Sequence, residues 1–137
     1  DKEFAPIFFG CDGMDGILTV ENFDTSLAEG LMLLTPFSPT EESSKKFTED
    51  YMAAYEVEPN QFAADAYDAV YAVAAAAEKA GITADMDVSA MCDAMKTAMT
   101  EITIDGLTGA GMTWNAAGEP NKAPKAAKIV NGVYEMQ

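Results

Sequence analysis

In this chain of 137 residues, eight Lys with no Arg and no His face 23 acidic residues, a formal charge of −15; neutralising the phosphates of a nucleic acid would run against that field, so neither nucleic acid nor an anionic membrane surface is an expected partner. The missing residue types remove chemistry as well: without His there is no Ser-His or Cys-His nucleophile pair, and without Arg no bidentate clamp for a carboxylate. With 49% hydrophobic residues the chain can bury one ordinary core, and a single domain is the expectation.

Along the chain, residues 6–10 (PIFFG) predict a short buried strand, ended by the Asp12-Gly13 turn. Residues 21–29 suit a short helix, which Gly30 closes before a second apolar strand over 31–35. Phe47, Tyr51, Ala54 and Tyr55 fall at helical spacing within 41–56, behind Pro39 and with acidic residues at the N-terminal end, where the helix dipole favours them. The segment QFAADAYDAVYAVAAAAEKAG is the strongest helix signal and ends on Gly81; Phe62, Ala66, Ala69, Val70, Val73 and Ala77 form one stripe, and Tyr67, Tyr71 and Ala74 a second beside it. A helix apolar over most of its circumference is expected to pack on two sides. A further helix over 88–100 carries Met91, Met95, Ala98 and Met99 on its core side, a stripe read as packing. The remainder alternates Gly and Asn turns with short β-prone pieces, and Asn131-Gly132 in KIVNGVYEM reads as a hairpin turn.

The carboxylate-rich stretch FFGCDGMDGILTV invites a calcium reading, which its spacing refuses. With Gly16 at the sixth position of an EF-hand loop, Cys11, Gly13 and Asn22 stand at positions 1, 3 and 12, leaving only Asp15 as a carboxylate ligand. Asp65 and Asp68, three residues apart, could be paired acids, against solvated or locally hydrogen-bonded carboxylates. Cys11 and Cys92 make no CxxC pattern and are read as unpaired small hydrophobes, with a disulfide as the other reading. No apolar run approaches 18 residues, so no membrane-spanning helix is expected. The DKEF opening fits either a mature protein or an interior piece of a longer one.

Four separated motifs, FFGCDG, EGLMLLTPF, PNQFAADAYDAVYA and LTGAGMTWNAAGEPNKAPKAAKIVNGVYEM, stand in an order that resembles the C-terminal part of the branched-chain amino-acid (leucine/isoleucine/valine-type) substrate-binding proteins of ABC transporters. The resemblance covers essentially the whole chain. It implies an α/β fold, part of the type I periplasmic-binding architecture (three-layer αβα, Rossmann-like), in which a fragment contributes to both lobes. Residues 1–36 would be the end of the second lobe and a crossover, 37–112 the later part of the first lobe, and 113–137 the closing strands and return crossover.

The resemblance also places a site. The acidic residue just after the strand's F-x-G accepts hydrogen bonds from the ligand's α-ammonium in that family, and here it is Asp12; Gly13 would let the turn approach the ligand. The family often carries Glu at this position, so the shorter Asp12 leaves ligand size open. Phe62 matches an aromatic at the cleft edge, and equally a core aromatic. Asp15 and Asp105 match no ligand contact and are read as turn residues. The groups that hold the ligand's carboxylate belong to an N-terminal part outside these residues, so at most half a site is expected. The partners implied are an amino-acid ligand, an ABC permease, and either the rest of a parent chain or a second copy in a homodimer. No catalytic residue, metal or cofactor is expected, and the location implied is extracytoplasmic. A self-contained acidic interaction domain without a small ligand is the alternative, and an enzyme, lacking His and Arg, comes third.

Overall fold

The computed structural model describes residues 5–137, and the DKEF opening lies outside them. The chain divides into two compact units: the first ends at Gln61 and includes Pro124–Gln137, and the second is Phe62–Ala123. Each has its own apolar cluster, so two small cores stand where composition suggested one.

The first unit is built on a four-stranded sheet in the order β1 (Phe9–Gly10), β2 (Met32–Leu34), β3 (Ala126–Val130), β4 (Val133–Met136). β1 and β2 are parallel, whereas β2–β3 and β3–β4 are antiparallel. The β3–β4 turn is the expected hairpin: Asn131 and Gly132 both take positive φ (52° and 76°), the geometry whose twist matches the flanking strands. Leu33, Ala127 and Ile129 are fully buried, and Ala28 and Leu31 join them, with Ile17, Leu18 and Phe23 packed around. Ala127 and Ile129 alternate inward along β3 as a half-buried strand requires. Helix α1 (Lys45–Tyr55) follows a 3-10 turn at Glu42–Ser44. It carries Phe47, Tyr51 and Tyr55 in ring contact, with Phe37 edge-on to Phe47 at 5.9 Å between ring centroids.

Two expectations for this unit are corrected. The strand at 6–10 is only two residues long, and Ile7, Phe8 and Phe9 are 86%, 63% and 58% exposed. Among the described residues β1 is the edge of the sheet, with β2 alone beside it. The helix expected over 21–29 is a single 3-10 turn, Thr25–Ala28, started by the Asp24 carboxylate accepting from the Ser26 amide. Asn22, with φ at 62°, breaks the backbone before it.

The second unit contains α2, which runs Gln61–Ala80 from the last residue of the first unit, and α3 (Val88–Met99). At the end of α2 the Ile82 amide donates to the Ala77 carbonyl and the Gly81 amide to that of Glu78, a closed helix C-terminus at the predicted glycine. Asp87 caps α3, its carboxylate accepting from the Ala90 amide. Ala76, Ala98 and Ile102 form the cluster, with Met95, Met99 and Trp114 against it. The residues after α3 fold back through isolated bridges, Ile104 to Met112 and Trp114 to Pro120.

The buried face of α2 is not the one its aromatic and branched residues suggest. Ala64, Asp68, Ala72 and Ala76, four apart, are buried, whereas Phe62, Tyr67, Val70, Tyr71 and Val73 are exposed. The packing on two sides expected of it is therefore absent among the described residues. A small-residue face lets the 105–112 segment approach closely: a Cβ at Gly106 would lie 2.5 Å from Asp68 Cγ.

Leu33 is fully buried where β2 meets β3. Leu33→Ala is expected to lower unfolding stability by about 2–5 kcal/mol, the range for emptying a leucine-sized core position. Urea titration checks it, and an unchanged midpoint would contradict the core assignment.

Candidate ligand-binding site

β1 ends at Gly10, and the chain turns at once into a 3-10 turn over Asp12–Met14. Asp12 and Gly13 therefore sit at the carboxyl end of a parallel strand, where open α/β sheets bind ligands. Asp12 is exposed, and among the described residues its carboxylate has no hydrogen-bond or ionic partner. Its carbonyl, by contrast, is doubly used, accepting from the Asp15 amide at 2.9 Å and from Gln61 Nε2 at 2.6 Å. A Cβ at Gly13 would meet nothing within 4 Å among the described residues, so the space beside Asp12 is open there.

Asp15 does more than turn the chain. Its Oδ1 accepts from the Gly16 amide at 2.9 Å and its Oδ2 from the Gln61 amide at 2.8 Å, at the first residue of α2. The Gly16 amide also donates to the Tyr134 hydroxyl at 3.1 Å, linking this turn to β4. Gly16 has φ at 87°, a left-handed conformation that a side chain would strain. Gln61, 1% exposed, is at the centre of this arrangement, and its Oε1 is buried without a partner among the described residues. Neither Asp15 nor Gln61 announces itself in sequence, because their bond joins positions 46 apart.

Phe62 belongs to the second unit and is 48% exposed; it is not a core aromatic of this chain. Asp65 and Asp68 do not act as a pair. Asp65 meets Lys122 Nζ at 2.8 Å. Asp68 is buried and accepts from the Leu107 amide at 2.8 Å, the Thr108 amide at 2.9 Å and the Thr108 hydroxyl at 2.7 Å. Three donors satisfy a buried carboxylate without a cation, so Asp68 serves as a tether for its own unit. Asp105 is a turn residue as read, accepting from the Gly111 amide at 2.7 Å. Cys11 and Cys92 are exposed free thiols. A cleft of about 820 Å³ in the second unit, walled by Asp93, Lys96, Met99 and Trp114, includes none of Asp12, Gly13 or Phe62.

Residues 13–132 match the periplasmic binding protein family. The chain belongs to that family. No curated protein matches it by sequence. Among solved structures, it is similar to the leucine binding protein LivK of Thermotoga maritima, with 23% identity and a TM-score of 0.74 over 99% of this chain and 37% of that one. The branched-chain amino acid binding protein LivJ of Streptococcus pneumoniae, in complex with isoleucine, is 27% identical with a TM-score of 0.69 over 96% of this chain and 36% of that one. A solute binding protein of R. palustris in complex with benzoate gives 16% identity and a TM-score of 0.72 over 95% of this chain and 34% of that one. This periplasmic binding protein chain thus has part of the type I periplasmic-binding fold and spans little more than a third of the length of these relatives. No helix among its described residues is long and apolar enough to cross a membrane.

One titration follows from the Asp15 cluster. Burial, and then the charge of Asp15, raise the Tyr134 phenol above its ordinary value of 10.0. A group whose folded pKa exceeds its unfolded one contributes stability that is complete below the unfolded value, here about pH 10, and lost as pH rises through the folded value. The urea midpoint should therefore fall more steeply above about pH 10 in the unsubstituted protein than in Tyr134→Phe. Equal slopes would show that the phenol contributes nothing to the alkaline loss.

Proposed function

We propose that this chain is part of the extracytoplasmic solute-binding component of an ABC transporter, which holds a free amino acid, branched-chain or otherwise aliphatic, between two lobes and delivers it to a membrane permease. The observation that carries this reading is the Asp12 carboxylate, exposed at the end of β1, without a partner among the described residues and with open space beside it. A charge-assisted bond to an ammonium is among the stronger polar contacts. The relatives' ligands differ, since leucine-type and benzoate-bound proteins share the fold, so the fold alone does not choose. The charge of Asp12 favours an amino acid within this reading, because a carboxylate attracts an α-ammonium and repels an aromatic acid that has none.

Within this reading, Asp12 and Gly13 face the ligand from one lobe and Phe62 supplies an aromatic at the cleft edge. Residues 1–36 end the second lobe and begin a crossover, 37–112 belong to the later part of the first lobe, and 113–137 close the strands and return. The sheet supports the crossover, because the chain leaves it after β2 and re-enters at β3. The groups that would grip the ligand's carboxylate come from the remainder of a parent chain. The protein works by hinge closure and docking, with no turnover, cofactor or metal. In calorimetry on the full-length protein, Asp12→Ala should cost about 2–4 kcal/mol of L-leucine binding, as for one partner of a buried charge pair. Unchanged affinity would remove Asp12 from the site, and tighter binding of benzoate than of L-leucine would remove the amino-acid assignment.

The exposed face of α2 bears on partners. Phe62, Val70, Tyr71 and Val73 lie uncovered on one helix, and Ile7, Phe8 and Phe9 at a sheet edge. Apolar edges and faces of this kind associate. The 137 residues alone should therefore pair with a second copy, and sedimentation should give a species heavier than 14.6 kDa. A monodisperse monomer with cooperative unfolding would show that these surfaces need no cover.

A further inference from the structure

The hydrogen bonds around Asp12 close into a ring. The Asp15 amide donates to the Asp12 carbonyl, Gln61 Nε2 donates to the same carbonyl, and the Gln61 amide donates to Asp15 Oδ2. All three residues belong to the first unit, and each bond fixes a backbone group, which leaves the Asp12 carboxylate unused. Gln61 is buried to 1% exposure. A buried polar side chain is costly unless it is paired, yet half of this amide, Oε1, has no partner among the described residues. A methionine or leucine would fill the same space without leaving an acceptor bare, so packing alone does not account for glutamine here. What glutamine adds is one donor aimed at the peptide of the residue that carries the free carboxylate.

From this geometry we infer that Gln61 and Asp15 are positioning residues for ligand binding: Gln61 holds the Asp12 peptide, Asp15 holds Gln61, and the Asp12 carboxylate is thereby presented in one orientation. The inference rests on the reading of Asp12 as the ligand's ammonium acceptor. Preorganisation is the physical benefit, since a carboxylate on a turn already fixed loses less freedom when it meets an ammonium. The ring also explains why the binding turn needs Asp15 directly beyond Met14: only a carboxylate there can reach both its own Gly16 amide and the start of α2.

The test is a double-mutant cycle in the full-length protein, with L-leucine and its des-amino analogue 4-methylpentanoate as calorimetric probes. Gln61→Met keeps the volume and removes the donor. It should weaken L-leucine binding about tenfold, the value of roughly one hydrogen bond. In an Asp12→Ala background the same substitution should change binding less than about twofold, because the group that it positions is gone. Binding of 4-methylpentanoate should be indifferent to it. Asp15→Asn, which keeps one acceptor oxygen and so at most one of the two bonds, should restore only part of the affinity lost in Asp15→Ala. An equal loss from Gln61→Met in both backgrounds, or no loss, would overturn the inference. Should the unsubstituted protein bind no L-leucine, the amino-acid reading falls. The positioning claim is then decided by amide hydrogen exchange in the same samples. Gln61→Met should speed exchange at residues 13–16 at least about tenfold while β3 and β4 keep their protection. Unchanged exchange at 13–16 would overturn it on that ground alone.

Discussion

Everything in the first unit depends on the antiparallel pairing of β2 with β3, two short strands from opposite ends of the chain. Met32 faces Lys128, Leu33 faces Ala127 and Leu34 faces Ala126. The pairing closes a very long loop, whose entropy grows slowly with length, and in return it buries Leu33, Ala127 and Ile129 completely. Among the described residues β1 has no neighbour but β2, and the Asp12 turn hangs from the end of β1. Losing the β2–β3 contact would release the edge strand, the turn and the link through Gly16 to Tyr134 of β4. The candidate site is therefore stabilised from the far end of the sequence.

Distance along the chain separates what could be read in advance from what could not. The β3–β4 hairpin was legible because Asn131-Gly132 is a local signal with a local geometry. The ends of α2 and α3 were legible for the same reason, through Gly81 and Asp87. Asp12 and Gly13 are singled out by the family resemblance, at the position just after the strand's F-x-G, and not by a local signal of their own. The bonds Asp15 to Gln61 and Asp68 to Thr108 join positions 46 and 40 apart, and nothing local distinguishes such aspartates from turn or surface residues. The burial of β1 was misjudged on similar grounds: an apolar run fits a covered strand or an edge strand equally, and only the sheet order separates the two.

Helix α2 shows a different ambiguity. Its sequence offers bulky stripes and an alanine stripe, and hydrophobicity alone favours burying the bulk. The structure buries the alanines instead, along with Asp68. Close approach explains the choice, since the 105–112 segment gains three hydrogen bonds to Asp68 only where small side chains and Gly106 let it come near. The bulky side chains of the helix are then left exposed, which is how a chain of modest length carries two small cores and still exposes large apolar side chains.

A final constraint comes from charge. With eight cations for 23 acids, most carboxylates cannot be neutralised by ion pairs, and among the described residues only a few are paired so. Aspartates are satisfied by backbone amides instead: Asp15 by Gly16 and Gln61, Asp24 by Ser26, Asp68 by Leu107 and Thr108, Asp87 by Ala90, Asp105 by Gly111. Each such carboxylate starts or pins a turn, so the acidity that argues against nucleic acid also builds the loops. Among the described residues, the Asp12 carboxylate stands outside this scheme although its own peptide is held twice.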